Sequence, residues 1–346
     1  MGKGILKLDG GAYIGAAASV VGKCEHEGPL GKDFDLFDPA DKFGMKTWEM
    51  AESEMQRLAF NTALAKLSAS EREVDALFAG DLLNQCVGSS YGLMDFDIPY
   101  FGLYGACSTA AEGITLASMG VSAGYFKTAA AVTSSHFCAA ERQYRTPIEY
   151  GAQRAPTAQW TVTGAGAFMI CGEGEVRVSE AMPGIVVEKG INDAGNMGAA
   201  MAPAAADTIL RYFRAGDYRP SDFDMIVTGD LGAEGGSILC ELLCTEGLDI
   251  KDRYNDCGIM IYDAERQDKH AGGSGCGCSA VVLASHLYPK LLSGELGEIL
   301  LIGTGAMMSP ASIQQGQAIP AVAHLIRLSG RKNRRERMGK DRGAFA

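Results

Sequence analysis

The chain has 346 residues, a hydrophobic fraction of 47% and a formal net charge of −11 at pH 7, a composition typical of a globular protein and unlike that of a disordered chain. The negative charge disfavours nucleic acid as a partner, because binding it needs a basic surface. The sequence contains no run of 18 apolar residues, so no membrane-spanning helix is predicted. The N-terminus does not resemble a signal peptide. The ten cysteines are therefore expected to be free thiols in a reducing compartment.

Residues 45–67 are predicted to form a long amphipathic helix, because Trp48, Met55 and Leu58 recur near helical spacing with polar residues between them. Buried strands are predicted where short apolar runs end in small residues. These runs lie at 74–83, 125–136 and 158–172.

The second half of the chain repeats the pattern of the first. Residues 223–232 (FDMIVTGDLG) match 74–83 (VDALFAGDLL), and 275–306 match 105–135. A repeat of this length predicts two pseudo-symmetric halves built from βαβ units. We therefore expect one half over 1–175, a second over 176–329, and a basic tail over 330–346.

Cys107 stands in GACSTAAEG, between small residues and ahead of a predicted helix. One interpretation is a nucleophile, because a helix N-terminus lowers the pKa of a thiol. The other is a buried thiol that merely fits a tight corner. The residues alone leave both interpretations open.

Two such halves, with ACS opening a helix in the first and a Gly-rich corner in the second, resemble the thiolase fold. That resemblance implies an α/β protein of two pseudo-symmetric halves in five layers, αβαβα, which includes the thiolases and the ketoacyl synthases. It also implies a homodimer that pairs strands across its sheets. TVTGAGAFMI resembles the Gly-Asp-Gly-Ala strand of ketoacyl synthase III-like proteins, with Thr163 in place of the aspartate.

A closer resemblance covers roughly residues 10–328. GPLGKDFD, FAGDLLNQ, GLYGACSTAAEG, TSSHFCAAERQYR and AGGSGCGCSAVV occur in order and are similar to the stage V sporulation protein AD family. The resemblance implies a sporulation protein that binds dipicolinic acid, or its calcium complex, and works beside membrane-embedded partner subunits at the spore inner membrane. Dipicolinate uptake in sporulation, and its release in germination, would be the task of that assembly. No cofactor is implied; calcium would come with the ligand, and no metal site is predicted.

The catalytic positions of the condensing enzymes are changed in this chain. The synthase histidine would follow MIVTGD, where Gly229, Asp230 and Leu231 stand, and the Gly-Asn-Thr-Ser turn reads Gly-Ser-Gly-Cys at 273–276. The resemblance therefore implies a binding protein rather than an enzyme. The alternative is a thiolase- or ketoacyl synthase III-like acyltransferase that uses Cys107, with His136 or His270 recruited as the base.

The candidate ligand-binding residues come from both halves of the chain. A dianion also needs cations, and guanidinium groups match carboxylates well; Arg154 and Lys189 are further candidates for that role. The predicted site comprises Cys107, His136, Arg142, Arg145, Gln159, Asn196, Asp230, His270, Ser274 and Cys276.

The C-terminal segment RLSGRKNRRERMGKDRGAFA is strongly basic, from Arg327 onward. Two interpretations stand beside each other: a solvated tail, or a segment that adheres to an anionic membrane surface.

Overall fold

The computed structural model describes residues 4–144 and 154–331, which form a mixed α/β fold. The strands are β1 Leu6–Lys7, β2 Tyr13–Val21, β3 Leu36–Phe37, β4 Ala76–Gly80, β5 Tyr100–Gly102, β6 Thr128–Ser135, β7 Trp160–Thr161, β8 Gly164–Cys171, β9 Val176–Met182, β10 Met225–Thr228, β11 Tyr254–Asp256, β12 Gly273–Ser274, β13 Glu298–Ala306 and β14 Ala321–Ser329. The helices are α1 Lys23–His26, α2 Trp48–Leu67, α3 Val87–Leu93, α4 Thr109–Ser122, α5 Phe137–Tyr144, α6 Met197–Ala215, α7 Gly232–Thr245, α8 Cys257–Ile261, α9 Cys276–Val282, α10 Tyr288–Ser293 and α11 Pro310–Gln314.

The strand order repeats between the two halves of the chain. The main sheet runs β11-β10-β13-β14-β9-β2-β8-β6-β4-β5, while β7 and β12 form a separate parallel pair. One run of five, β2-β8-β6-β4-β5, comes from the first half of the chain, and the other, β9-β14-β13-β10-β11, comes from the second. In each run, the strand that comes first in the chain lies beside the strand that comes last. β2 therefore corresponds to β9, and β8 to β14. The two runs meet through a short antiparallel contact between β2 and β9, at Tyr13–Arg177 and Ile14–Val176.

Sheet register agrees with the internal repeat found in the sequence. Ala79 pairs with Val132 across β4 and β6. Thr228, which the motif match aligns with Ala79, pairs with Ile302 across β10 and β13. Equivalent residues of the two motifs therefore occupy equivalent places in the sheet.

Helices cover both runs of strands and separate them. α2 packs on β2, β6 and β8, and α6 packs on β13 and β14 with α7 against it. α4 contacts β4, β6 and β8 of one run and β13 and β14 of the other, so it lies between them. The resulting order of layers is the αβαβα arrangement expected from the sequence.

Several element boundaries differ from the sequence prediction, and the strands expected over 74–83 and 125–136 run over Ala76–Gly80 and Thr128–Ser135. The helix expected over 45–67 begins at Trp48, because the Thr47 hydroxyl accepts the Met50 N–H at 3.2 Å and caps the first turn. The strand expected over 158–172 is split into β7 and β8. Between them the Thr163 N–H donates to the Glu25 carboxylate at 3.0 Å instead of to a neighbouring strand.

The two halves approach each other backbone to backbone at glycines. A Cβ atom on Gly305 would lie 2.1 Å from the carbonyl oxygen of Gly105, and one on Gly166 would lie 2.9 Å from the carbonyl carbon of Ala280. Only glycine fits such contacts. The corner that carries Cys107 is thus pressed directly against β13 of the other half.

The prediction that Arg327 belongs to a basic tail is wrong. Arg327 lies in β14, is 8% exposed and pairs with Glu298 (2.8 Å) and Glu180 (3.5 Å). Arg331 follows β14 and lies 3.6 Å from the Glu175 carboxylate. The rest of the predicted tail, 332–346, lies outside the described residues.

Candidate functional site

A pocket opens beside Cys107, which stands in a tight turn (Ala106–Ser108) ahead of α4. Ala106 adopts a left-handed φ of 49°, which turns the chain sharply between β5 and α4. The pocket encloses about 670 Å³ including its open mouth, and both halves of the chain line it. Its described lining consists of Leu82, Tyr104, Ala106, Cys107, Ala140, Glu141, Tyr144, Gln159, Thr161, Ala194, Met197, Ser274, Gly275, Ala306 and Met308.

A chain of polar groups runs from the pocket floor into the second half. The Cys107 thiol lies 3.7 Å from the Ser274 hydroxyl, which donates to the Asp230 carboxylate at 2.7 Å. Asp230 is 1% exposed and also accepts the Gly275 N–H (3.0 Å) and the Thr304 hydroxyl (2.6 Å). The predicted residues Cys107, Ser274 and Asp230 therefore form one connected group.

The expectation that a helix N-terminus lowers the pKa of Cys107 is wrong. Burial raises the pKa of this thiol well above its usual range, and the nearby Asp230 and Cys276 raise it further. The loss of hydration destabilises a buried thiolate more than the dipole at a helix N-terminus stabilises it, and a nearby carboxylate adds to the destabilisation. The surroundings of Cys107 therefore favour its neutral thiol form.

Gln159 joins the pocket wall to the backbone of the second half. Its Nε2 donates to the carbonyl oxygens of Asp230 and of Gly273, the latter at 3.2 Å. Its Oε1 has no hydrogen-bond partner although the residue is only 3% exposed. An unpaired amide oxygen in a pocket wall is suited to a ligand.

Two tyrosines outside the predicted site share a hydrogen bond at the pocket. The Tyr144 hydroxyl donates to the carbonyl oxygen of Leu82 at 2.7 Å, and it lies 2.8 Å from the Tyr104 hydroxyl. Tyr104 stands three residues before Cys107 in GLYGACS. This short separation is enough to predict that Tyr104 lies near the pocket. Thr161 could have been found from Gln159, because residues two apart on a strand share a face.

Neither predicted histidine is among the described lining residues. His136 is fully buried at the end of β6, where its Nε2 donates to the carbonyl oxygen of Asp41 (2.8 Å) and its Nδ1 accepts the Cys138 N–H (3.2 Å). Burial lowers the pKa of this imidazole. His270 lies at the surface, 2.7 Å from the Asp268 carboxylate. Neither is placed by the structure as a base for Cys107.

The cations expected to bind a dianion are not gathered around the described pocket lining. Arg142 forms an ion pair with Glu49. Arg154 donates to the carbonyl oxygen of Asp268 at 2.6 Å and lies over the Trp160 ring. Lys189 lines a separate surface groove beside α6 and α7. The fourth candidate, Arg145, lies outside the described residues.

Asn196 and Cys276 stand behind the pocket wall. The Asn196 side chain caps α6 by accepting the Ala199 N–H at 3.2 Å, which leaves its neighbours Ala194 and Met197 to line the pocket. The Cys276 thiol donates to the carbonyl oxygen of Ala106 at 2.9 Å, and burial raises its pKa. Both residues support the site without facing it.

The described part of the chain has neither a group of metal ligands nor a membrane-crossing helix. Within residues 4–144 and 154–331, no cluster of three or more His, Cys, Asp or Glu side chains is arranged to hold a metal ion. In the same ranges, no helix has both the length and the apolar character needed to cross a bilayer.

The sequence of the chain matches a known protein family. The family described as Stage V sporulation protein AD (SpoVAD) matches residues 2–329. The Stage V sporulation protein AD of Bacillus subtilis (strain 168) is 43% identical over 313 residues, which cover 90% of this chain and 92% of that protein.

Solved structures with low sequence identity share the fold. The 3-oxoacyl-[acyl-carrier-protein] synthase III of Aquifex aeolicus VF5 superposes with a TM-score of 0.55 at 11% identity, covering 92% of this chain and 99% of that one. A point variant of OleA from Xanthomonas campestris gives a TM-score of 0.55 at 14% identity, with 94% of this chain and 98% of that one covered. The chain therefore belongs to the stage V sporulation protein AD family and has a thiolase-like fold.

Proposed function

We propose that this sporulation protein binds dipicolinic acid, or its calcium complex, in the pocket beside Cys107 without catalysing a reaction. The observation that carries the proposal is a formed pocket whose described lining contains a buried thiol, that of Cys107, and no histidine. A condensing enzyme needs a thiolate and a partner that polarises the acyl carbonyl. A binding site needs neither.

The apolar walls of the pocket suit an aromatic ring. Its walls are largely apolar, with Leu82, Ala140 and Ala306 among small and aliphatic neighbours, and Met197 and Met308 supply flexible thioethers. Ligand pockets of this kind combine an apolar lining with a few fixed polar groups. Here those groups are Gln159, Ser274 and the Tyr104–Tyr144 pair.

Dipicolinate is expected to raise the melting temperature of the purified protein. A ligand that binds only the native state at about 100 times its Kd adds about 2.7 kcal/mol, which corresponds to about 4 °C for a chain of this length. Differential scanning fluorimetry with and without the ligand measures the shift. Calcium chloride is included in a second series, because either form of the ligand satisfies the proposal.

The matched control fills the pocket. Ala306→Leu adds a side chain to the wall, and its shift is measured against its own ligand-free melting temperature, so a change in basal stability does not confuse the result. We expect the shift to vanish in this variant. No shift in the native protein at saturating ligand, with or without calcium, would refute the proposed function.

The alternative is an acyltransferase that uses Cys107, and the position of this residue at the turn before α4 favours it. The buried thiol, whose neutral form its surroundings favour, argues against it. We expect iodoacetamide at pH 7.5 to leave Cys107 unmodified while it labels Cys244, which is exposed in the same chain. Peptide mass spectrometry distinguishes the two sites. Selective labelling of Cys107, or a covalent adduct after incubation with acyl-CoA, would support the enzyme instead.

We also propose that the protein acts as a homodimer, peripheral to the spore inner membrane, beside membrane-embedded subunits of one transport assembly. β5 is an edge strand, and its Tyr100 and Phe101 are 38% and 48% exposed. An exposed apolar edge of this kind suits pairing with a second copy. Sedimentation equilibrium of the purified protein tests the pairing, and a single-chain mass of 36.5 kDa would contradict it.

A further inference from the structure

Lys269 is a buried cation without an anionic partner. It lies in the loop between α8 and β12 and is 6% exposed, although Asp268 and His270 on either side of it are exposed. Over residues 4–144 and 154–331, its Nζ forms neither a hydrogen bond nor an ion pair, and it contacts two aromatic rings. Arg327, the other buried Lys or Arg side chain that the structure describes, pairs with two carboxylates. Of these two cations, the described fold gives only Arg327 a counter-charge.

The Trp160 ring holds the Lys269 ammonium in place. The Nζ atom lies 3.0 Å from the centroid of this ring and 5.9 Å from that of Tyr262. Phe137 stacks on Trp160 with the ring centroids 3.8 Å apart and the planes 9° from parallel, so it covers the opposite face of the indole. A ring face attracts the positive charge, but it does not replace the acceptors that the three ammonium protons find in water.

A second cation lies at the same ring. The Arg154 Cζ atom is 4.9 Å from the Trp160 centroid, and its Nη2 donates to the carbonyl oxygen of Asp268 at 2.6 Å. Burial lowers the pKa of Lys269, and the positive charge of Arg154 lowers it further. Two like charges at one ring repel each other, and an anion between them relieves that repulsion. Guanidinium and ammonium groups are also the donors that bind carboxylates and phosphates in proteins.

The acidic groups near Lys269 do not supply this anion. The Cys24 thiol and the Glu25 carboxyl lie close enough to affect the lysine, but burial raises the pKa of Cys24 and raises the pKa of Glu25 to about 7. Burial thus favours the neutral form of both groups. Asp268 is exposed and lies 2.7 Å from the His270 imidazole. None of the three acidic side chains forms an ion pair or a hydrogen bond with Lys269.

The two cations lie behind the wall of the pocket described above. Gln159 and Thr161 line that pocket, and Trp160 stands between them in the chain. Successive side chains of an extended segment point to opposite sides, so the Trp160 ring and its cations lie on the far side of β7. Neither Lys269 nor Arg154 is among the described lining residues. An anion bound here would therefore occupy a separate site.

We propose that Lys269 and Arg154 bind a small oxyanion, such as inorganic phosphate or a monocarboxylate, beside the face of Trp160 that Phe137 leaves open. The anion accepts hydrogen bonds from the ammonium and from the guanidinium, and its charge compensates that of the buried lysine. The residues that flank Lys269 are exposed, so the anion can enter from solvent. The inference does not depend on the ligand of the pocket, since neither cation lines it.

The fluorescence of Trp160 reports on this site directly. The chain has two tryptophans, and Trp48→Phe leaves Trp160 as the only one in a parent protein for all measurements. Potassium phosphate and potassium acetate are titrated separately at pH 7.5, with KCl keeping the ionic strength constant. Since an anion draws the ammonium away from the indole, we expect a saturable change in Trp160 emission with at least one of the two anions. No saturable change with either anion would overturn the inference.

Variants of the parent protein locate the bound anion. Lys269→Met removes the buried charge and should raise the Kd of the responding anion at least tenfold. Arg266→Gln is the matched control, because Arg266 is an exposed cation of the same loop and lies 3.7 Å from the Asp263 carboxylate; it should keep the Kd. Ala306→Leu fills the separate pocket and should also keep it. An unchanged Kd in Lys269→Met, or an equal loss in Ala306→Leu, would contradict the site.

Melting temperatures test the same site without relying on fluorescence. A buried charge without a counter-ion destabilises the native state, so Lys269→Met should melt at or above the parent in KCl alone. The responding anion should then raise the melting temperature of the parent more than that of Lys269→Met, because only the parent retains the site. Equal shifts in both proteins would show that the anion acts on the protein surface in general, and they would overturn the inference.

Discussion

Replacing Arg327 by methionine is expected to lower the free energy of unfolding by about 3–5 kcal/mol, the usual cost of removing one partner from a buried ion pair. Arg327 stands opposite Glu180 in the register of β14 and β9 and also pairs with Glu298. These carboxylates are 7% and 2% exposed. Without the guanidinium, both carboxylates would stay buried and lose the positive charge of Arg327.

Urea unfolding at pH 7 measures this effect, and two further variants make it specific. Arg214→Met breaks an exposed ion pair with Glu246, whose side chains are 63% and 51% exposed, and should cost less than about 1 kcal/mol. Adding Glu298→Gln to Arg327→Met should restore part of the loss, because one buried charge is removed. A loss for Arg327→Met no larger than that for Arg214→Met would show that the buried pair contributes little.

Replacing Glu25 by glutamine is expected to remove a pH-dependent weakness of the fold. Glu25 is 1% exposed; burial raises its pKa to about 7, although the Tyr262 hydroxyl and the Thr163 N–H both donate to its Oε1. Its Oε2 has no hydrogen-bond partner. Between pH 4.5 and 7 the native state holds a proton that the unfolded state has lost, so this group makes stability fall as pH rises.

The size of the effect follows from the shift. One pKa unit corresponds to about 1.4 kcal/mol, so the advantage of Glu25→Gln over the native protein should grow by about 2–3 kcal/mol between pH 5 and pH 8. Urea unfolding at both pH values measures that difference. Glu71→Gln, which changes an exposed carboxylate, should show no comparable trend. An advantage for Glu25→Gln that is equal at both pH values would refute a raised pKa for this group.

Local sequence patterns predict much of the fold. The internal repeat is visible in the sequence as an acidic residue, an apolar strand and Gly-Asp. It is visible because β4 and β10 occupy equivalent places in the sheet and are packed in similar surroundings. The turn at Cys107 could also be found, since small residues before a helix leave a distinct pattern. The start of α2 was missed by three residues, because the Thr47 cap and not the apolar spacing decides where the helix begins.

The electrostatics of the site could not be read in the same way. Cys107 and Asp230 are 123 positions apart in the chain, and only the folded structure shows that the carboxylate raises the pKa of the thiol. His136 follows the end of β6, as its sequence position predicts, yet its ring turns to the carbonyl oxygen of Asp41. Sequence alone does not separate Arg327 from the basic residues that follow it, because its partners, Glu180 and Glu298, lie on other strands.

The close approach of Gly305 to the carbonyl oxygen of Gly105 has a consequence for the history of the chain. After a duplication, two halves that met only through side chains could diverge independently, each adjusting its own core. Contact between their backbones removes that freedom at the touching positions, because no change of neighbouring side chains makes room for a Cβ. Side-chain substitutions around the pocket are therefore expected to be tolerated more readily than substitution of Gly305, where any Cβ would meet the Gly105 carbonyl oxygen.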